Sequence, residues 1–96
     1  MTNHSFSTVG VVGAGAMGRG IAQLAAQANC RVLLLDTQPG AAEAARSAVV
    51  AYWQQALARD RIGTEQANAW TVHLQAADSL AALAGCDLVI EAIVER

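Results

Sequence analysis

The sequence predicts an α/β fold built on a buried, parallel sheet. Two short, mainly apolar runs, at residues 8–12 and 31–35, have the pattern of strands covered on both faces. Between them, apolar residues recur at spacings of three and four, the period of an amphipathic helix. The composition agrees, because 54% of the 96 residues are hydrophobic and only 4% are aromatic, as in a core of close-packed helices and strands.

The first strand–helix–strand unit follows directly from these patterns. Residues 1–7 are polar and are expected to form a disordered lead-in. The first strand covers Thr8 to Val12, the first helix Met17 to Ala28, and the second strand Arg31 to Leu35. Asn29 stands where the helix must end, and asparagine tolerates the left-handed conformation of a helix C-terminus almost as well as glycine does.

A helical hairpin is predicted after the second strand, at about residues 41–71. Its first helix runs from Ala41 to about Arg59, with Pro39 in the first helical turn, where the missing N–H is not needed. Gly63 ends this helix, and a shorter helix begins at Thr64. The hairpin is longer than a simple crossover needs, so it is either an additional packing layer or a wall of a substrate site.

Two further strands complete the predicted sheet. Val72 to Ala77 is expected to form the third strand. Asp78 or Ser79 then caps a short helix, which Gly85 ends. Residues 87–95 contain the fourth strand and its exit, again as an apolar run typical of a strand covered on both faces.

Charge and composition exclude several classes of function. The formal net charge is −2 without a basic cluster, so nucleic acid is not expected as a partner. No apolar run is long enough to span a membrane and the N-terminus lacks a secretory pattern, so a cytoplasmic protein is expected. Cys30 and Cys86 are interpreted as reduced, packed cysteines. His4 and His73 have no ligand partner at a suitable spacing, and no metal site is predicted.

A glycine-rich turn between the first strand and the first helix is the most informative motif. Its Gly-x-Gly-x-x-Gly pattern consists of Gly13, Gly15 and Gly18. In such a motif the first glycine turns the strand tightly, the second leaves room for a pyrophosphate, and the third lets the helix pack closely. The N–H groups and the dipole of the helix's first turn then face the phosphates.

Asp36, directly after the second strand, completes the pattern. It falls within the ~20-residue offset at which a dinucleotide-binding fold places its ribose-binding carboxylate. Thr37 and Gln38 follow it, rather than an arginine, which favours NAD over NADP. The order of strand, glycine loop, helix, strand and acid predicts dinucleotide binding. The alternative is a glycine loop that only packs the helix against the strands.

Three segments together resemble a known family. They are Gly13 to Ala22, Asp36 after the run Val32 to Leu35, and Asp87 to Glu95. From Val9 to the end of the chain, the sequence resembles the N-terminal NAD-binding domain of the 3-hydroxyacyl-CoA dehydrogenase family. It looks most similar to bacterial members that act in phenylacetate breakdown, on thioesters like 3-hydroxyadipyl-CoA.

This resemblance implies both a fold and a reaction. The fold is a parallel Rossmann sheet, of which this chain contains the first four strands, with a helical hairpin inserted after the second strand and an all-helical dimerisation domain further along the family's chain. The reaction is the reversible oxidation of a 3-hydroxyacyl-CoA to the 3-oxoacyl-CoA, with hydride transfer to NAD. The implied cofactor is NAD, the implied substrate an acyl-CoA, and the implied full-length assembly a homodimer.

The resemblance also implies site residues. Cofactor contacts fall on the glycine loop, on Asp36 at the adenosine ribose, and on the segment after the fourth strand, beside the nicotinamide half. The loop residues are Gly13, Ala14, Gly15, Ala16, Met17 and Gly18, and the last segment contributes Ile93, Val94 and Glu95. Arg59 is the basic residue nearest the family's position for a CoA contact by the hairpin.

The family's catalytic histidine and its partner glutamate follow later strands, beyond Arg96, so no residue of this chain is predicted to be catalytic. Residues 1–96 are interpreted as the N-terminal part of the NAD-binding domain and are expected to catalyse nothing alone. A strand order of 3-2-1-4 makes the fourth strand an apolar edge. Because Ile90, Ile93 and Val94 would then lose cover, the isolated chain is expected to associate.

Three alternative functions stay open at this point. An NAD(P)-dependent β-hydroxyacid dehydrogenase of the 3-hydroxyisobutyrate or 6-phosphogluconate type shares the glycine loop, although an arginine usually follows its second strand. A non-catalytic dinucleotide-sensing module needs no acid–base pair. An S-adenosylmethionine methyltransferase shares both the loop and the acid at the end of the strand.

Overall fold

The described part of the chain forms a four-stranded, fully parallel sheet. The structure, a computed structural model, describes residues 7–93. Its elements are β1 (Thr8–Val12), α1 (Ala16–Gln27), β2 (Arg31–Leu35), α2 (Ala41–Ala58), α3 (Thr64–His73), β3 (Leu74–Ala76), a short 3-10 helix (Leu80–Leu83) and β4 (Leu88–Glu91). The strands lie in the order β3-β2-β1-β4. Both the α/β class and the expected strand order are confirmed.

Strand register separates the two faces of the sheet. Val9 lies opposite Val32 of β2 and Leu88 of β4, and Val11 lies opposite Leu34. Paired residues of parallel strands point to the same side. Val11, Val32 and Leu34 are completely buried, because this face packs against α1 and the hairpin. Buried alanines of α1 and α2 belong to the same core, so these helices lie close to the strands.

The opposite face packs against the short 3-10 helix. A Cβ atom on Gly10 would lie 3.1 Å from the Cys86 sulfur and 3.3 Å from the side chain of Leu83. A glycine in the middle of β1 therefore lets this segment approach the sheet. Ser79 precedes the 3-10 helix, as predicted, but its side chain forms no capping hydrogen bond.

The strand β4 lies at the edge of the described sheet, beside β1. Leu88 is 36% exposed, Val89 46% and Ile93, just after the strand, 59%. In residues 7–93 the predicted apolar edge is confirmed, and β4 there is not covered on both faces. Ile90 stays partly buried, contrary to expectation, because its register places it beside Val11 on the helix-covered face.

Two tryptophans join the hairpin to the rest of the fold. Trp53 of α2 is only 1% exposed, and its indole Nε1–H donates to the Gln27 side-chain oxygen at 2.9 Å. Its ring lies 5.7 Å from that of Trp70 in α3, measured between ring centres. Gln27 is the last residue of α1, so this contact connects the hairpin to the helix that follows the glycine loop.

The third strand begins later than predicted, because α3 continues through His73 and β3 covers only Leu74–Ala76. The last carbonyl groups of a helix need partners from outside the helix. Arg46 supplies them here, since its Nε donates to the Leu74 carbonyl at 2.6 Å and its Nη2 to the Thr71 carbonyl at 3.0 Å. This contact between distant parts of the chain stabilises the last turn of α3.

Two helix boundaries differ slightly from the predictions. Asn29 has a φ of 69°, as expected after the end of α1, but α1 begins at Ala16, one residue early. Pro39 lies in the turn before α2 and not in its first helical turn. The reason is that Gly40, with a φ of 80°, occupies the N-cap position and Ala41 is the first helical residue.

Candidate functional site

A cleft of about 290 Å³ opens at the carboxyl ends of β1 and β4. The chain leaves β1 towards β2 on one side, whereas β4 lies on the other side. Such a switch point is where open α/β sheets bind their ligands. The cleft is lined by Val12, Gly13, Gly15, Asp36, Thr37, Ala92 and Ile93.

Gly13 gives the floor of the cleft its shape. Its φ is 111°, which L side chains rarely adopt, and its N–H donates to the Leu35 carbonyl at 2.8 Å. A Cβ atom here would lie 2.8 Å from the carbonyl oxygen of Ala92. Glycine is therefore required at position 13, where the chain turns between the ends of β2 and β4.

Gly18 permits the close approach of α1. A Cβ atom at this position would overlap the carbonyl oxygen of Gly13. The first turn of α1 consequently lies directly on the loop that precedes it, and the predicted packing role of the third glycine is confirmed.

Gly15 is the open position of the loop. It is exposed, it is the N-cap residue of α1, and no atom lies within 4 Å of the place where its Cβ would be. The first turn of α1 contains no acidic residue and has no side-chain cap. Its N–H groups, at Ala16 and Met17 among others, thus face the space beside the cleft, in the arrangement that suits a phosphate.

Asp36 faces the loop from the end of β2. One carboxylate oxygen accepts the N–H of Ala14 at 2.7 Å, and the other accepts the N–H of Gln38 at 2.8 Å. These bonds, that of Gln38 first, hold the pKa of the carboxyl below its usual value. The side chain is therefore ionised at neutral pH, and it connects the glycine loop to the turn before α2.

A larger cleft of about 510 Å³ lies on the other side of Asp36. Its apolar wall is formed by residues of β1, β2, β4 and the 3-10 helix. Its polar wall is formed by carboxylate and hydroxyl side chains. The lining residues are Val12, Leu35, Asp36, Thr37, Asp78, Ser79, Leu80, Val89 and Glu91. Among the described residues, neither cleft is lined by lysine or arginine.

The predicted site residues are largely brought together. Gly13, Gly15, Asp36 and Ile93 line the first cleft, and Ala16 and Met17 follow Gly15 at the start of α1. Ala14 and Gly18 do not line it, since Ala14 donates to Asp36 and Gly18 is buried against the Gly13 carbonyl. Val94 and Glu95 lie outside the described residues. Arg59 lies apart, exposed at the far end of α2, ~27 Å along the helix from its start.

Several lining residues were not predicted. Thr37 and Ala92 border the first cleft, and Leu80 and Val89 border the second. The sequence could have indicated Ala92 as a cleft residue, because it directly follows β4, which ends at the same edge of the sheet as β1. Leu80 and Val89 border the same cleft as Asp36 only once the 3-10 helix and β4 have packed at this edge of the sheet, and no local motif marks them.

The histidine of the described region lies far from both clefts. Among residues 7–93, His73 is the one histidine, and it immediately precedes Leu74, which pairs with Val32 near the amino end of the sheet. The carboxyl edge with Asp36 is thus roughly 16 Å away along the strand direction. In this part of the chain no group of three potential metal ligands occurs, and no helix is long and apolar enough to cross a membrane.

Comparison with known proteins identifies relatives of this fold and site. The family model described as "3-hydroxyacyl-CoA dehydrogenase, NAD binding domain" matches residues 8–96. A 3-hydroxybutyryl-CoA dehydrogenase of Bradyrhizobium diazoefficiens is 37% identical over 89 residues, which are 92% of this chain and 30% of that protein. A 3-hydroxyadipyl-CoA dehydrogenase of Escherichia coli is also 37% identical over 89 residues, 93% of this chain and 19% of that protein.

Solved structures of 3-hydroxybutyryl-CoA dehydrogenases contain the same fold. The crystal structure of a 3-hydroxybutyryl-CoA dehydrogenase from Escherichia coli has a TM-score of 0.90 and 35% identity, over 97% of this chain and 20% of that one. An (S)-3-hydroxybutyryl-CoA dehydrogenase from Ralstonia eutropha has a TM-score of 0.87 and 29% identity, over 96% and 32%. The chain thus spans about a third or less of the length of the relatives it matches.

Proposed function

Because the chain belongs to the 3-hydroxyacyl-CoA dehydrogenase family, as its NAD-binding domain, we propose that it supplies the cofactor site of an enzyme that oxidises 3-hydroxyacyl-CoA to 3-oxoacyl-CoA. NAD, when bound, accepts the hydride in this reaction. One observation carries the proposal: the exposed Gly15 at the start of α1 and the ionised Asp36 border one cleft at the switch point of the sheet.

Each part of the cofactor has a suitable surface in this site. The first-turn N–H groups of α1 would hold the pyrophosphate, and the Asp36 carboxylate would accept hydrogen bonds from the adenosine ribose. The apolar walls of the larger cleft, which include Leu35 and Val89, suit the flat adenine. Ile93, exposed beside the smaller cleft, lies towards the nicotinamide half, where Val94 and Glu95 are proposed as further contacts.

The charge around Asp36 supports NAD rather than NADP. A 2′-phosphate would lie against the Asp36 carboxylate, and Asp78 and Glu91 add further acid to the neighbouring wall. The described lining residues include no cation to offset this repulsion.

The remaining parts of the enzyme are proposed from the resemblance and the relatives. The general base and its partner glutamate are placed beyond Arg96, since His73 is far from the clefts. The hairpin, with Arg59, is proposed to contact CoA. Membership of a homodimer, a cytoplasmic location and a role in phenylacetate breakdown belong to the same proposal; the relative named 3-hydroxyadipyl-CoA dehydrogenase supports a substrate of that type.

A turnover assay with the full-length product tests this function. Acetoacetyl-CoA and NADH are added, and NADH oxidation is followed by absorbance, with the chain of residues 1–96 assayed in parallel. We expect turnover by the full-length protein and none by residues 1–96. A folded full-length protein that binds NADH but turns over neither acetoacetyl-CoA nor longer 3-oxoacyl-CoA thioesters would contradict the proposal and favour a dinucleotide sensor. Oxidation of 3-hydroxyisobutyrate instead would favour the β-hydroxyacid dehydrogenase alternative.

A further inference from the structure

Both carboxylate oxygens of Asp36 are bonded to the protein's own backbone. The Oδ2 atom accepts the N–H of Ala14 at 2.7 Å, and Oδ1 accepts the N–H of Gln38 at 2.8 Å. A residue whose single task is to contact a ribose needs neither bond. The geometry therefore gives Asp36 a task within the protein as well.

That task concerns the shape of the glycine loop. The N–H groups of Gly13 and Ala14, consecutive in the loop, donate to Leu35 and Asp36, consecutive at the end of β2. The Leu35 partner is a backbone carbonyl, which every residue type provides. The Asp36 partner is a side chain, so the second bond depends on the sequence. The donor of this second bond, Ala14, directly precedes Gly15, the loop residue that is open to the cleft.

We propose that Asp36 is a positioning residue for the phosphate loop, in addition to its contact with the ribose. By holding the Ala14 N–H, its carboxylate keeps the loop in the conformation in which the first-turn N–H groups of α1 face the cleft. The two tasks are compatible, because a carboxylate has about four lone-pair directions and the backbone uses two of them. The inference rests on the proposed cofactor site and extends it.

A pair of nucleotide probes separates the two tasks. ADP carries both ribose hydroxyls, whereas 2′,3′-dideoxy-ADP carries the same phosphates and adenine without them. Binding of both is measured calorimetrically to the full-length wild-type protein and to Asp36→Ala. We expect Asp36→Ala to bind the dideoxy probe about tenfold more weakly, because binding must then order a loop that the Ala14 hydrogen bond to a charged acceptor no longer holds. ADP should lose more, because the ribose contact is lost too.

The control is Glu65→Gln. Glu65 lies exposed in the first turn of α3, outside both clefts, so its replacement removes one negative charge while the carboxylate that accepts the Ala14 N–H stays in place. We expect both probes to bind this variant within about twofold of wild type. If Asp36→Ala binds the dideoxy probe as wild type does but loses affinity for ADP, Asp36 contacts the ribose alone and the inference is wrong.

Hydrogen exchange of the ligand-free protein gives a second test that needs no nucleotide. In Asp36→Ala, no side-chain oxygen is left to accept the Ala14 N–H. We expect faster exchange in the peptide covering residues 13–18 of this variant, and unchanged exchange would overturn the inference. If wild type binds neither probe, the cofactor site itself is refuted, while the exchange result still decides whether Asp36 shapes the loop.

Discussion

Gly18 lies directly against the carbonyl oxygen of Gly13, so any side chain at position 18 would overlap the backbone of the loop. We expect Gly18→Ala to lower the free energy of unfolding of the full-length protein by about 3 kcal/mol or more, because the obstacle is backbone and cannot rotate away. Chemical denaturation followed by tryptophan fluorescence measures this effect.

The matched variant is Gly20→Ala, two residues further along the same helix. No atom lies within 4 Å of a Cβ at this position. Because alanine is the better helix former, this change should raise the free energy of unfolding by up to about 1 kcal/mol. Equal effects of the two substitutions would show that the packing between Gly18 and Gly13 is not the cause.

Gly15→Val is predicted to abolish cofactor binding while the fold is retained. The valine side chain would occupy the open space at the start of α1, which the phosphates need. The φ of Gly15 is −73°, so valine adds no left-handed strain and the folded state survives. NADH binding is measured by fluorescence titration, and folding by circular dichroism. Gly85→Val, at another open glycine outside both clefts, is the control that keeps NADH binding. Native-like binding by Gly15→Val would place the phosphates elsewhere.

The hairpin is predicted to depend on the Gln27–Trp53 hydrogen bond. Gln27→Met leaves the buried Trp53 N–H without its acceptor, which should cost about 1–3 kcal/mol in the free energy of unfolding. Gln23→Met is the comparison, since Gln23 donates to the same Gln27 oxygen from a half-buried position, and its loss leaves the Trp53 bond in place. We expect a clearly smaller effect from Gln23→Met in urea denaturation. Equal losses would assign the stability to helix packing alone.

Two carboxylates, those of Asp36 and Asp87, are expected to make the free energy of unfolding depend on pH. The pKa of Asp36 is lowered by the N–H groups of Gln38 and Ala14, and that of Asp87 mainly by the N–H of Thr8. Because the pKa of each carboxyl is lower in the folded state, the unfolded state binds protons more readily. The two carboxylates therefore stabilise the fold above their unfolded pKa, and this contribution to the free energy of unfolding is lost as the pH falls below about 4. Denaturation at pH 7, 5, 4 and 3 should show a shallower acid loss for the Asp36→Asn, Asp87→Asn double variant. Identical pH dependence would contradict this origin of acid sensitivity.

The fold was predictable where the determinants are local. The glycine spacing, the apolar runs of β1 and β2, and Asn29 with its left-handed φ all depend on a few neighbouring residues. The end of α3 was missed because Arg46, far away in the sequence, stabilises its last carbonyl groups. The partial cover of Ile90 was missed because it depends on the register of β4 beside β1, which places Ile90 opposite Val11.

The site, too, was predictable only where short motifs mark its residues. The spacing of Asp36 from the glycine loop indicates a ribose contact, but it holds no information on the Ala14 hydrogen bond, which depends on the folded loop. The wall residues Leu80 and Val89 come from segments that approach Asp36 only after the sheet has formed. Motifs therefore identify residues that follow a fixed spacing, whereas the residues of the cleft walls are identified only from the folded structure.

Titration of the full-length protein and its Asp36→Ala variant with NADH and NADPH tests whether this cleft is an NAD site. Wild type is expected to bind NADH at least about tenfold more tightly than NADPH, because the Asp36 carboxylate accepts the ribose hydroxyls and repels a 2′-phosphate. Asp36→Ala should lose about 1–3 kcal/mol of NADH binding. Equal or tighter binding of NADPH by wild type would contradict the assignment of this cleft as an NAD site.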